Sequence, residues 1–242
     1  MSLEALVAAR LAAVRARLAA AARRAGRESA AIRLVAVSKG FGPEHVRAAA
    51  ASGQRDFGEN RVQEALQKIA AAADLGITWH LVGHLQSNKV RKAVGPFAWI
   101  HSVDGMELLS RLEQTAAATG ARPRVLVQVD LAGEPTKFGA PPPEARRIVE
   151  AAARCRAVEL AGLMLLPPFA EDPEAVRPYF ARLRELRDEL VRTGAAPAEA
   201  LAELSMGMSH DFEVAVEEGA TMVRVGTAIF GPRPETPGGG RA

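Results

Sequence analysis

Short apolar runs and amphipathic stretches alternate along the whole of this 242-residue chain. Strand-like runs fall near Leu34–Lys39, Arg55–Asn60, Thr78–Leu85, Trp99–Asp104, Arg124–Leu131, Val158–Pro167, Glu203–Met208 and Met222–Gly231. Each is short and bounded by polar or turn residues, the pattern of a strand buried on both faces. Between them, apolar residues recur at helical spacing over Glu44–Ala51, Val62–Ala73, Met106–Thr119, Pro143–Cys155, Pro173–Thr193 and Phe212–Glu218. Gly53, Gly76, Gly120, Gly194 and Gly219 stand where five of these helices would close. A leading stretch, residues 3–25, is apolar at Leu3, Val7, Leu11, Val14 and Leu18 and predicts one further helix. Eight strands with intervening helices predict an α/β fold, a single (β/α)8 TIM barrel with an extra N-terminal helix. The competing open doubly wound sheet lacks support, because no Gly-x-Gly-x-x-Gly follows any strand. Residues 1–231 read as one domain and 232–242, with their Pro and Gly, as a flexible tail.

Composition narrows the functional classes. A net charge of +3 without a run of like charge suits a small anionic ligand; a nucleic-acid partner would call for a basic stripe. The single cysteine, Cys155, precludes an intrachain disulfide and a cysteine zinc cluster, so a cytoplasmic setting is expected. The leading helix is Arg-rich, as transit peptides are, but Ser is scarce and Glu4 interrupts it, so it is assigned to the fold. No apolar run is long enough to span a bilayer, and no membrane partner is expected.

Candidate chemistry gathers at the strand ends, where barrels of this kind place their sites. Lys39 closes the first strand, and only five of the 31 basic residues are lysines. A partly desolvated ammonium can form a Schiff base with a carbonyl, which arginine cannot do; the alternative is a lysine that merely extends to solvent. After strand eight, Gly226 and Thr227 offer loop amides and a hydroxyl to a phosphate. Ser209, from the neighbouring strand's loop, offers a second hydroxyl, unless it caps the helix that follows; Gly226 is otherwise a strand kink. Arg224 faces the same way as Gly226 and needs an acceptor, either a carboxylate or a ligand's ring nitrogen. Lysine amine, phosphate cup and arginine together describe a pyridoxal phosphate site. Arginine donates a hydrogen bond to the pyridine without protonating it, so the ring is a weak electron sink and transamination and decarboxylation are disfavoured.

The segments Ala36-Val37-Ser38-Lys39, Phe57-Gly58-Glu59-Asn60, Trp79 through Lys89, Leu204 through Ser209 and Met222 through Gly231 resemble the pyridoxal phosphate homeostasis protein family over essentially the whole chain. The resemblance implies a single barrel similar to the N-terminal domain of alanine racemase. It implies a lysine aldimine of pyridoxal 5'-phosphate at Lys39, ring nitrogen on Arg224, and phosphate on Ser209, Gly226 and Thr227 with Ser205 as a further candidate. Asn60 would lie near the ring. It also implies cofactor holding and delivery to apo-enzymes that depend on it, without established turnover and so with no catalytic residue. Gly40-Phe41-Gly42 and His210 depart from the family's usual residues at positions flanking the site.

Two other classes compete. A racemase needs a second base, which the related racemases supply as a tyrosine from an additional domain of the partner subunit. Here the chain stops shortly after its eighth strand, and its one tyrosine, Tyr179, falls in a helix after strand six. A cofactor-free class I aldolase would account for Lys39 but not for Arg224. His80 and His84 lie four apart, but on a strand-like segment they are not the one-face helical pair a zinc site uses, so no metal is expected. Lys89-Val90-Arg91-Lys92 reads as a solvated helix start, and Met206 and Met208 as packing at the barrel mouth. A second cofactor site at Lys137 or near Lys89 is left open by the sequence.

Overall fold

The computed structural model describes residues 1–133 and 138–233. Lys137 and most of the C-terminal tail, residues 234–242, lie outside the described residues. Eight parallel strands close into a barrel in chain order: β1 (Arg33–Val37), β2 (Asp56–Glu59), β3 (Thr78–Leu81), β4 (Trp99–Val103), β5 (Arg124–Val129), β6 (Glu159–Leu165), β7 (Glu203–Ser205) and β8 (Met222–Val225). The helices are α1 (Leu3–Arg24), α2 (Pro43–Ala51), α3 (Val62–Ala71), α4 (Val90–Ala93), α5 (Met106–Thr119), α6 (Pro142–Ala152), α7 (Arg177–Arg192), α8 (Phe212–Glu217) and α9 (Thr227–Phe230).

The alternation of strand side chains divides the interior in two. Along β5, Val125 and Val127 join the large core between strands and helices, whereas Leu126 joins a smaller cluster with Trp99, Ala161, Met164 and Met222. In α1, Val7, Leu11, Val14 and Leu18 are buried, and the helix lies against α2, α8 and α9. Arg17 holds Glu213 of α8 at 2.8 and 2.7 Å, and Arg10 donates to the Phe230 carbonyl at 3.0 Å. The Arg-rich leader is thus part of the fold and braces the elements that follow β7 and β8. Among the described residues no helix is long and apolar enough to cross a membrane.

Several strands end earlier than their apolar runs. The run Met222–Gly231 splits: β8 stops at Val225 and residues 227–230 turn into α9. The physical reason is that Ala228, Ile229 and Phe230 bury apolar side chains from a helical turn as readily as from a strand, while Gly226 breaks the ladder. Likewise β3 stops at Leu81 and β7 at Ser205, and the residues beyond them form the loops of the rim.

Candidate cofactor site

At the carboxyl ends of the strands lies a cavity of about 630 Å³. Its lining includes Lys39, Asn60, Ser209, Arg224, Gly226 and Thr227. The register explains the meeting of Lys39 with the β8 loop, since Ala36 pairs with Val225 and both chains then leave the barrel side by side. A methyl group on Gly226 would sit 3.1 Å from the Val37 carbonyl oxygen, so the two backbones are in contact. Ser205 stands apart from this group. It is fully buried beneath Arg224, receives a hydrogen bond from Arg224 Nη1 at 2.7 Å, and is not among the cavity's lining. A direct phosphate contact from Ser205 is therefore not what the geometry offers, because a β7 side chain facing the barrel axis lies under the guanidinium.

Lys39 is half-buried, and among the described residues its Nζ makes no hydrogen bond or ion pair. Burial first, then the Arg233 and Arg224 guanidinium groups, push its ammonium below the ordinary lysine value, with Glu59 opposing. The strand end that carries it is clamped from behind. Lys68 Nζ on α3 donates at 2.7 Å to the Ser38 carbonyl, to Glu59 Oε1 and to Glu64 Oε1. Ser38 Oγ donates to Glu59 Oε1 at 2.6 Å, and the Gly40 amide to Glu64 Oε1 at 2.7 Å. Burial raises the Glu59 carboxyl above its ordinary value against these bonds from Lys68 and Ser38. The clamp escaped the sequence reading, although Glu64 and Lys68 stand four apart on one predicted helix, a recognisable ion-pair spacing.

Arg224 is 4% exposed and, among the described residues, has no carboxylate within ion-pair distance. Its partners are neutral: Ser205 Oγ, and the Leu165 carbonyl at 2.9 Å from Nη2. Burial pushes its pKa down to about 10, with distant help from Asp211 in the other direction. Of the two acceptors left open by the sequence, no carboxylate is found beside Arg224 among the described residues. Ser209 does not cap α8. Its Oγ accepts instead from the Gly226 amide at 3.1 Å and the Ala228 amide at 3.3 Å, and so ties the β7 loop to the start of α9. Its hydroxyl proton remains for an acceptor in the cavity. Thr227 is exposed beside it.

Phe41, from the Gly40-Phe41-Gly42 segment, and His210, at the two places where the sequence is expected to depart from the family, have structural partners. Phe41 is buried against His45 and Phe230, with ring centroids 4.9 and 5.3 Å away. His210 Nε2 donates to the Glu171 carbonyl at 2.8 Å, linking the β7 and β6 loops. His80 and His84 diverge, because β3 stops at Leu81 and His84 lies in the loop beyond it. His80 is bound inside the barrel, whereas His84 lies by Asp104 at 3.5 Å and stacks on Phe138 at the cavity edge. Met206 is buried and Met208 partly exposed at the mouth. Lys89 ends the turn that starts α4.

The alanine racemase N-terminal domain model matches residues 9–234. Pyridoxal phosphate homeostasis proteins of Aquifex aeolicus and Pseudomonas aeruginosa are 46% and 44% identical to this chain. The alignments cover 93% and 94% of this chain and 97% and 96% of those proteins. The structure of PipY from Synechococcus elongatus with PLP bound is 42% identical, with a TM-score of 0.83 over 93% of this chain and all of that one. With this identity carried over nearly its whole length, the chain belongs to the pyridoxal phosphate homeostasis protein family and has the barrel of the alanine racemase N-terminal domain.

Proposed function

We propose that this chain holds pyridoxal 5'-phosphate in the rim cavity and gives it up to apo-enzymes, without turning over a substrate of its own. When bound, the cofactor supplies an aldehyde that condenses with an amine and a ring that withdraws electrons. Lys39 Nζ is the amine assigned to the aldehyde carbon as a Schiff base. Arg224 is the donor to the ring nitrogen, and Ser209, Thr227 and the amides at the start of α9 are the phosphate partners. Asn60 flanks the ring. The observation that carries this reading is that, among the described residues, a buried guanidinium with only neutral partners and a half-buried amine with no partner line one cavity. Each is costly to maintain in an unliganded protein, and one molecule with an acceptor nitrogen and an electrophilic carbon satisfies both.

Turnover of the racemase type would need a base on the other face of the ring. The only tyrosine, Tyr179, packs against the core from α7 and is not among the cavity's lining. Holding without turnover, in the cytoplasm where recipient enzymes are made, is the reading that fits. The test is transfer: load the protein with pyridoxal 5'-phosphate, desalt it, and mix it with an apo-enzyme that requires the cofactor. Retained cofactor, with recovery of activity at a rate different from that given by free cofactor, is expected. Loss of all cofactor on desalting, or recovery indistinguishable from free cofactor, overturns the proposal.

A further inference from the structure

A continuous line of polar side chains runs through the barrel below Arg224. Arg33 Nη1 donates to Asp56 Oδ1 at 3.1 Å, and His80 Nε2 meets the same oxygen at 3.0 Å. His80 Nδ1 lies 3.0 Å from His101 Nε2, and His101 Nδ1 lies 2.9 Å from Ser205 Oγ. Ser205 in turn accepts from Arg224 at 2.7 Å. His80, His101 and Ser205 are fully buried, and Asp56 reaches a second cavity on the opposite face of the barrel, shared with Arg33 and Arg55. So many buried polar groups in one file would be a liability if any were unsatisfied. From Asp56 to Arg224 the hydrogen bonds are mutually consistent in only one arrangement of protons, while the Nε of Arg33 at the lower end is left without a partner.

That arrangement follows from the lower end. Burial would raise Asp56, but the bonds from His80 and Arg33 outweigh it and hold the carboxyl below its ordinary range, so it only accepts. His80 must therefore place its proton on Nε2. Burial holds His80 neutral despite Asp56, and burial likewise holds His101 well below the ordinary histidine value, with the Arg224 and Arg33 guanidinium charges adding to the effect. With its proton on Nε2, His80 can only accept at Nδ1, so His101 donates from Nε2 and accepts at Nδ1. Ser205 then donates its proton to His101 and turns its lone pairs to Arg224. At the upper end a guanidinium only donates, and a Ser205 that gives its proton to His101 keeps its lone pairs for it, so the upper end is compatible with the polarity that Asp56 sets.

We propose that Asp56, His80, His101 and Ser205 form a one-way hydrogen-bond relay that fixes the acceptor of Arg224, making them positioning residues for a ligand's ring nitrogen. If Ser205 had no acceptor for its proton, it would compete with Arg224 for the Leu165 carbonyl or present a hydrogen to the guanidinium, and one of the arginine's two anchors would be lost. The role assigned to the ligand rests on the function proposed above; the relay itself is a property of the unliganded chain.

The relay is tested first without ligand, by long-range proton–nitrogen correlation on the histidine rings near pH 7. Both His80 and His101 are expected neutral with the proton on Nε2. A proton on Nδ1, or a doubly protonated ring, in either residue overturns the relay whatever the protein binds. Asp56→Leu removes the lower acceptor, and the His101 ring signals, two bonds away, are expected to shift while affinity for pyridoxal 5'-phosphate falls about 5-fold. Asp56→Asn keeps an oxygen that can accept from His80 and is expected to restore both. Unchanged His101 signals and affinity in Asp56→Leu, or no rescue by Asp56→Asn in a folded protein, contradict the proposal. Failure of the wild-type protein to bind the cofactor while both rings show the expected form would instead sink the functional reading alone.

Discussion

Replacing Arg224 with methionine separates what this side chain does for the fold from what it does for a ligand. Methionine approximates the length of the arginine stem and carries no charge. The guanidinium is held down to about 10 by burial, which against its ordinary value corresponds to about 3 kcal/mol of disfavour for the charged form. Removing the charge relieves that cost. It also removes the hydrogen bonds to Ser205 Oγ and the Leu165 carbonyl, each contributing about 1.5 kcal/mol when the donor is charged. The two effects nearly cancel, so the melting temperature of the unliganded variant is expected within about 5 °C of the parent. A ligand's ring nitrogen loses a charged donor, and affinity for pyridoxal 5'-phosphate, read by absorbance titration, is expected to fall between about 10- and 100-fold. Large destabilisation with unchanged affinity would refute the reasoning, since Arg224 would then be a structural residue whose partners outweigh its burial.

Other substitutions test the rim and the interior. Ser209→Ala and Thr227→Val are each expected to weaken pyridoxal 5'-phosphate binding about 5-fold and to leave binding of pyridoxal, which lacks the phosphate, unchanged; equal losses for both ligands would place these residues elsewhere on the molecule. Gly207 has φ +90°, and a methyl group there would lie 2.5 Å from Ala215 Cβ and 2.9 Å from Phe212 Cα. Gly207→Ala is therefore expected to cost about 2 kcal/mol or more and to lower the melting temperature accordingly. His101 contributes stability that is present above its ordinary value of 6.5 and is lost as pH falls below it, because the unfolded chain takes up the proton while the buried ring resists it. Glu59 and Asp211, raised by burial, act with the opposite sign in the acid range, so the comparison between variants isolates the histidine. Between pH 7 and 5 the parent's melting temperature should fall more steeply than that of His101→Gln, and parallel slopes would count against a neutral buried His101.

The architecture was legible because barrel strands buried on both faces are nearly continuous apolar runs, and their alternation with helices leaves few closures. The rim was legible because Lys39 and Arg224 are polar residues in otherwise apolar strands. Strand ends were less so: in Met222–Gly231 the apolar content is the same whether residues 227–230 continue a strand or turn into α9. Ser205 shows the limit for side chains. Its place in a segment with Gly207 and Ser209 suggests a ligand contact, but which layer of the barrel it occupies depends on strand stagger, and it lies buried beneath Arg224, outside the cavity's lining. The relay was the least visible part. His80, His101 and Asp56 come from three strands, 24 and 21 residues apart in the first two links, and each alone looks like an isolated polar residue in a strand. What joins them is register, as in the pairing of Gly58 with His80 and of Asp56 with Thr78 across β2 and β3.

The most direct test of the central claim is borohydride reduction of the protein loaded with pyridoxal 5'-phosphate, followed by digestion and mass spectrometry of the peptides. The cofactor's reduced adduct is expected on the peptide carrying Lys39, at about one per chain, and absent from Lys39→Ala. An adduct confined to Lys68, Lys89, Lys92 or Lys137, or full labelling that survives Lys39→Ala, would contradict the account.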